Sequence, residues 1–164
     1  YDENYHQSKN TSRHKHCLEK MIEDGHAYVS REEAKDGSGI IKEIVRFKNS
    51  KIPITFHDEV KGSVTMDTTD LGDFVIAKNV DEPLFHLAVV VDDFEEGVTH
   101  VIRGEDHVSN TPRQILIQRA IGALRRYMLT YPLYWELTNK SHLNDAGHYQ
   151  YLNTKSSDTY QKLY

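Results

Sequence analysis

The chain has 164 residues, 38% hydrophobic and 27% charged, with 20 Lys+Arg against 25 Asp+Glu and a formal net charge of −5. That size supports one domain with a proper core or two small subdomains, and the composition is that of ordinary soluble globular material. No apolar run approaches the roughly 20 residues of a membrane span, the opening YDENYHQSKN has neither the basic nor the apolar region of a signal peptide, and the acidic balance argues weakly against a nucleic-acid binder while leaving room for a local basic strip.

Residues 1–9 read as loop. Residues 11–24 read as a helix, with Cys17, Leu18, Met21 and Ile22 as its buried stripe and Gly25 as its stop. His14 and His16 flank Cys17, but positions two apart point to different sides of a helix. They are therefore expected on a solvated surface and not around a metal. Cys17 is the single cysteine, which excludes an internal disulfide and fits a reducing cytoplasm.

A short strand is expected at residues 27–29. Ser30 with Glu33 has the spacing of a capping box and predicts a small helix. A turn follows at residues 36–39, then strand-like runs at 40–48, 54–56, 63–66 and 74–78, punctuated by polar turns. This β-rich stretch lies between two α/β-like parts, as an insertion would. Lys42, Arg46, Lys48 and Lys51 give it a basic strip that either meets phosphates or is a solvated strand surface.

Residues 86–91 are rich in β-branched side chains, yet Leu87, Val90, Val91 and Phe94 keep helical spacing. Only residues 92–97 separate this run from the next apolar one, too few for a parallel crossover. The alternatives are a helix ending at Gly97 or an antiparallel hairpin, and the spacing favours the helix. Residues 98–102 are a short apolar strand, followed at once by Arg103, Gly104, Glu105, Asp106 and His107. Thr111 suits an N-cap, Pro112 the first helical position and Gly122 a stop, with Ile115, Leu116, Arg119 and Ala120 as the stripe between them. Strand, polar loop and helix form the half-unit of an α/β nucleotide-binding fold, in which ligands sit at the carboxyl ends of strands. A further core strand is expected at residues 127–133. Beyond Tyr134 the chain is polar and tyrosine-rich, with little hydrophobic period.

The stretch GVTHVIRGEDHVSNTPRQILI, preceded by FHLAVVVDD, resembles the catalytic domain of bacterial glutamyl-tRNA synthetase, a class I aminoacyl-tRNA synthetase. The resemblance extends back through GSVTMDTTDLGDFVIAKN and RFKN to YDENYHQS, covers about residues 1–122, and fades after that. It implies an α/β fold: part of a Rossmann-like core with a small β-rich, acceptor-binding insertion. Residues 1–26 would end the first half of the core, 27–83 form the connective insertion, 84–133 the second half, and 134–164 a divergent tail.

The resemblance implies an ATP-dependent ligase that activates glutamate and transfers it to the tRNA 3′ end, with magnesium accompanying ATP, in a cytoplasmic and monomeric parent enzyme. It assigns Arg103, Phe85 and Val89 to the glutamate site and Asp106 and His107 to the ATP adenosine. It gives Arg46 and Lys48, in the insertion, to the tRNA acceptor end. Arg suits a carboxylate because its fork grips both oxygens. A structural ion pair with Asp92 or Asp93 is the bland alternative for Arg103. Phe85 falls where the family usually has a tyrosine, so one hydroxyl is lost.

The departures are as informative. The family's H-I-G-H signature, which binds the ATP phosphates, lies before anything in residues 1–164. Lys140-Ser141-His142-Leu143 does not reproduce the lysine-rich K-L-S-K loop, and no anticodon-binding domain is present. No residue is therefore assigned a catalytic role, and the chain by itself is expected to be inactive. Two alternatives stand beside the ligase: a non-catalytic tRNA-acceptor-binding remnant, and the shortened paralogue that glutamylates queuosine in tRNA.

Overall fold

The computed structural model describes residues 7–34, 39–123, 127–131 and 150–152. After a 3-10 turn at Gln7–Lys9 come helix α1 (Thr11–Glu23) and strands β1 (Ala27–Glu33), β2 (Ile41–Phe47), β3 (Ile54–Asp58), β4 (Gly62–Met66), β5 (Phe74–Asn79) and β6 (Glu82–Pro83). Helix α2 (Phe85–Glu95), β7 (His100–Gly104), a 3-10 helix at Glu105–Asn110, α3 (Thr111–Ala120), β8 (Tyr127–Tyr131) and β9 (Gln150–Leu152) complete the described chain. The α/β architecture expected from the sequence is the one observed.

The strands form two sheets, ordered β1-β2-β5-β6 and β4-β3-β8-β7-β9. In the second, β7 and β8 are parallel, with His100 opposite Tyr127 and Gly104 opposite Tyr131. Parallel neighbours need a crossover, and α3 supplies it, so residues 100–131 are a βαβ unit. The residues expected to form the insertion divide between the sheets. β1, β2, β5 and β6 make the first sheet, whereas the β3–β4 hairpin adds to the βαβ sheet, where Asp58 meets Met128 across a parallel pair.

Residues 86–91 are helical, as the spacing favoured over a hairpin, and Gly97 ends the turn after α2 with φ +65°. Leu87 to Asp93 are all buried, which explains the continuous apolar run: α2 is packed on nearly every side. One core joins Leu18 and Met21 of α1, Val45, Phe47 and Ile76 of the first sheet, and α2 with α3. Phe47 and Phe74 stack at 5.1 Å within it.

Four local expectations are corrected. Ser30 and Glu33 do not start a helix. β1 continues through them in register with β2, Ser30 opposite Ile44 and Glu33 opposite Ile41, and Ser30 Oγ donates to Glu32 instead of capping. His14 is not on a solvated surface. It is 2% exposed and takes the place in the buried stripe expected of Cys17, which is half-buried. Thr111 is no N-cap: it is the first residue of α3, fully buried, and the helix has no side-chain cap. The α3 stripe is wider than Ile115, Leu116 and Ala120 alone. Residues 114–118 are all buried, and Arg119 is exposed. Most of the expected turn at 36–39, positions 132–133 of the last expected strand and most of the tail lie outside the described residues. Within that tail, β9 pairs antiparallel with β7.

Candidate functional site

The carboxyl end of β7 faces the first turn of α3. Alternation along β7 buries Val101 and Arg103 on one side, with Ile102 and Gly104 only partly covered. Arg103 Nη1 donates to Gln114 Oε1 at 2.7 Å, and Nη2 donates to the Thr111 hydroxyl. Thr111 and Gln114 are three apart on one helix face, so α3 presents both to the same guanidinium. Arg103 is 4% exposed, Gln114 5% and Thr111 0%. The sequence placed Arg103 at a ligand-facing strand end; the structure adds that it is enclosed. Neither Thr111 nor Gln114 was marked as its partner, and their i, i+3 spacing after the strand was the signal that could have found them.

Phe85 and His86 open α2 beside this cluster, their rings edge to face at 5.4 Å. Phe85 is 41% exposed. His86 Nδ1 is buried without a hydrogen-bond partner among the described residues. Burial, then the charges of Arg113 and Arg103, push the His86 imidazole down to about 4, so it is neutral near pH 7. Arg113 also lies over the Phe74 ring at 5.9 Å. Val89 is 4% exposed and part of the core.

Asp106 and His107 stand on the 3-10 helix that leaves β7. Their side chains are 3.4 Å apart, and Asn110 Nδ2 lies 3.1 Å from His107 Nδ1. Both keep exposed surface. Glu105 of the same turn pairs with Lys61 at the tip of the β3–β4 hairpin, 2.5 Å away. Asp58, at the turn end of that hairpin opposite Gly62, is desolvated. The backbone N–H groups of Val60 and Lys61, each 2.9 Å from Oδ1, nevertheless help to hold its carboxyl below the ordinary value.

In the basic strip, Arg46 is engaged: Nε and Nη2 grip Glu32 at 2.6 and 3.0 Å, and Nη1 donates to the Asp73 carbonyl. Lys42, Lys48 and Lys51 are exposed. Elsewhere, Asp92 collects three side chains, Gln7 Nε2 at 2.7 Å, Asn10 Nδ2 at 2.8 Å and His14 Nε2 at 2.6 Å, and thereby ties α1 to α2. Among the described residues no cluster of three or more His, Cys, Asp or Glu could hold a metal ion, and no helix is long and apolar enough to cross a membrane.

A βαβ unit with a cation and a polar loop at the carboxyl end of its first strand is the architecture of a nucleotide-binding α/β protein. The family model for class I tRNA synthetases (E and Q), catalytic domain, matches residues 30–141, and the chain belongs to that family. The match includes the first residues of the tail expected to diverge after 134. The glutamate–tRNA ligase of Lawsonia intracellularis is 40% identical over 142 residues, covering 71% of this chain and 30% of that protein. That of Aquifex aeolicus is 39% identical over 155 residues, covering 74% and 33%. The chain thus spans about a third of the length of these relatives. The glutamate-tRNA synthetase of Elizabethkingia anophelis has the same fold over 79% of this chain and 34% of its own, with a TM-score of 0.70 at 20% identity. A glutamate tRNA ligase from Elizabethkingia meningosepticum, solved in complex with its amino acid, matches equally well.

Proposed function

We propose that this chain is a segment of a glutamate–tRNA ligase catalytic domain and supplies one wall of its synthetic site. The observation that carries the reading is the enclosed Arg103 at the end of β7, oriented by Gln114 and Thr111. In this reading Arg103 grips a carboxylate of glutamate and Phe85 walls the pocket. Asp106 accepts from the adenosine of ATP, and His107 stacks beside it. Magnesium arrives on the ATP phosphates and not on a protein cage, in keeping with its preference for phosphate and water oxygens. Lys48, aided by Lys42 and Lys51, meets acceptor-end phosphates, while Arg46 stiffens the strand pair through Glu32. The division at residues 26, 83 and 133 into core, insertion, core and tail belongs to the same proposal.

Because Arg103 is 4% exposed, the reading requires neighbouring side chains to part as the carboxylate enters. Once inside, the contact is shielded from water and correspondingly strong. The same burial favours a second reading, in which Arg103 only anchors α3 to β7. The complete enzyme, this segment joined to the remainder of a family catalytic domain, separates them. Arg103→Ala should lower kcat/KM for glutamate by roughly 10- to 150-fold, the equivalent of about 1.5–3 kcal/mol for a charge-assisted contact. Its KM for ATP should stay unchanged. A lowered melting temperature with unchanged glutamate kinetics would favour the anchor.

A further inference from the structure

The 3-10 helix Glu105–Asn110 carries Asp106 and His107, yet packing holds it only lightly. None of its six residues is buried, and no side chain caps its start. Short helices of this kind have poorer hydrogen-bond geometry than an α-helix, so a contact from a neighbouring element has much to add to their placement. Lys61 makes such a contact. Its Nζ donates to Glu105 Oε1 at 2.5 Å, with the lysine side chain 29% exposed and the glutamate 50%.

The lysine is the anchored partner. It stands in the turn between β3 and β4, where its backbone N–H and that of Val60 each donate to Asp58 Oδ1 at 2.9 Å. Asp58 is 0% exposed and lies opposite Met128 of β8. The turn is thereby fixed to the sheet, and the ion pair passes that fixity to the residue directly before Asp106.

From this we propose that Lys61 and Glu105 are positioning residues for the nucleotide: their ion pair clamps the start of the 3-10 helix and so aims Asp106 and His107 at the adenosine. The inference rests on the reading of those two residues as the ATP contacts. An ion pair this exposed contributes little to the stability of a whole chain. Its loss is therefore read in ATP use and not in melting.

The test is made in the complete enzyme with Lys61→Gln, Glu105→Gln and the two together, with Asp106→Ala and His107→Ala as references. The readouts are KM for ATP, KM for glutamate, kcat and melting temperature. Each single glutamine variant is expected to raise the ATP KM by about two- to fivefold, the worth of an exposed ion pair. Glutamate KM and melting temperature should stay at the parent's values, with kcat little changed. The double variant should be no worse than either single one, since all three lose the same contact. ATP KM unchanged in both single variants, with the references impaired, would overturn the clamp. A rise confined to Lys61→Gln would also overturn it, because the lysine would then meet the nucleotide itself. Effects that multiply in the double variant would do the same, because the two side chains would then act separately. An ATP KM unchanged in both Asp106→Ala and His107→Ala would instead remove the underlying reading.

Discussion

A guanidinium held by a glutamine and a threonine has given up most of its hydration, and the protein has replaced that water with fixed acceptors. Asp92 shows the complementary case, a buried carboxylate satisfied by Gln7, Asn10 and His14. Asp92→Ala would strand three donors at once. At about 1 kcal/mol each, with the buried His14 costing more, the loss should be about 3 kcal/mol or greater. Urea denaturation measures it, and a loss below about 1 kcal/mol would show that the cluster is incidental. Acid should destabilise the fold for two reasons of the same sign. His86 is held at about 4 against an ordinary 6.5, so between those values the unfolded chain takes up a proton that the folded chain refuses. Asp58 is held below 3.8, so its contribution is present above that pH and lost as the pH falls through its folded value. Melting temperature should fall from pH 6.5 to 4, with the partial exposure of His86 moderating the slope. His86→Gln should flatten that part of the curve, and an unaltered slope would contradict the assignment. Arg103 was legible in the sequence as a cation at a strand end. Its partners were not, because Thr111 reads as a cap and Gln114 lies outside the stripe of Ile115, Leu116, Arg119 and Ala120, until the tertiary fold turns both inward. His14 was misplaced for the same reason: a histidine's burial depends on a carboxylate 78 positions away.

At the level of elements, strands β2 to β5, α1, α2, β7 and α3 were all legible, because alternation and helical spacing survive in short windows. The β1 error shows where local chemistry loses. Serine followed three residues later by glutamate favours a helix start, but seven register pairs with β2 outweigh one cap. Gly97 and Gly122 were read as stops and both take positive φ, +65° and +72°. A Cβ on either would meet nothing within 4 Å, so only backbone strain opposes alanine there. Gly122→Ala should therefore cost about 1 kcal/mol, read as a drop in thermal stability. A neutral result would mean that the turn relaxes out of the left-handed region.

On the scale of the whole molecule, part of the stretch proposed as an insertion, the β3–β4 hairpin, is bonded into the sheet of the βαβ unit. The β3–β4 hairpin is tied to it by the parallel pairing of Asp58 with Met128 and by Lys61–Glu105, so a sequence boundary at residue 83 does not mark a seam in the sheets. That connection was invisible in the sequence because its two links join residues 70 and 44 positions apart. Residues 1–164 contain neither an H-I-G-H segment nor a K-L-S-K loop, the family's donors to the ATP phosphates. Positioning carries much of the barrier in such a reaction, so this chain alone should give no glutamate-dependent exchange of pyrophosphate into ATP, with or without tRNA. A rate above background would show a more complete site. The central claim, that Arg103 holds glutamate, is tested most directly by glutamate-dependent pyrophosphate exchange in the complete enzyme carrying Arg103→Ala and Arg103→Lys. The account predicts that both variants lose at least about tenfold in kcat/KM for glutamate while their ATP KM is kept, since lysine lacks the fork. Glutamate kinetics equal to the parent in either variant would contradict it.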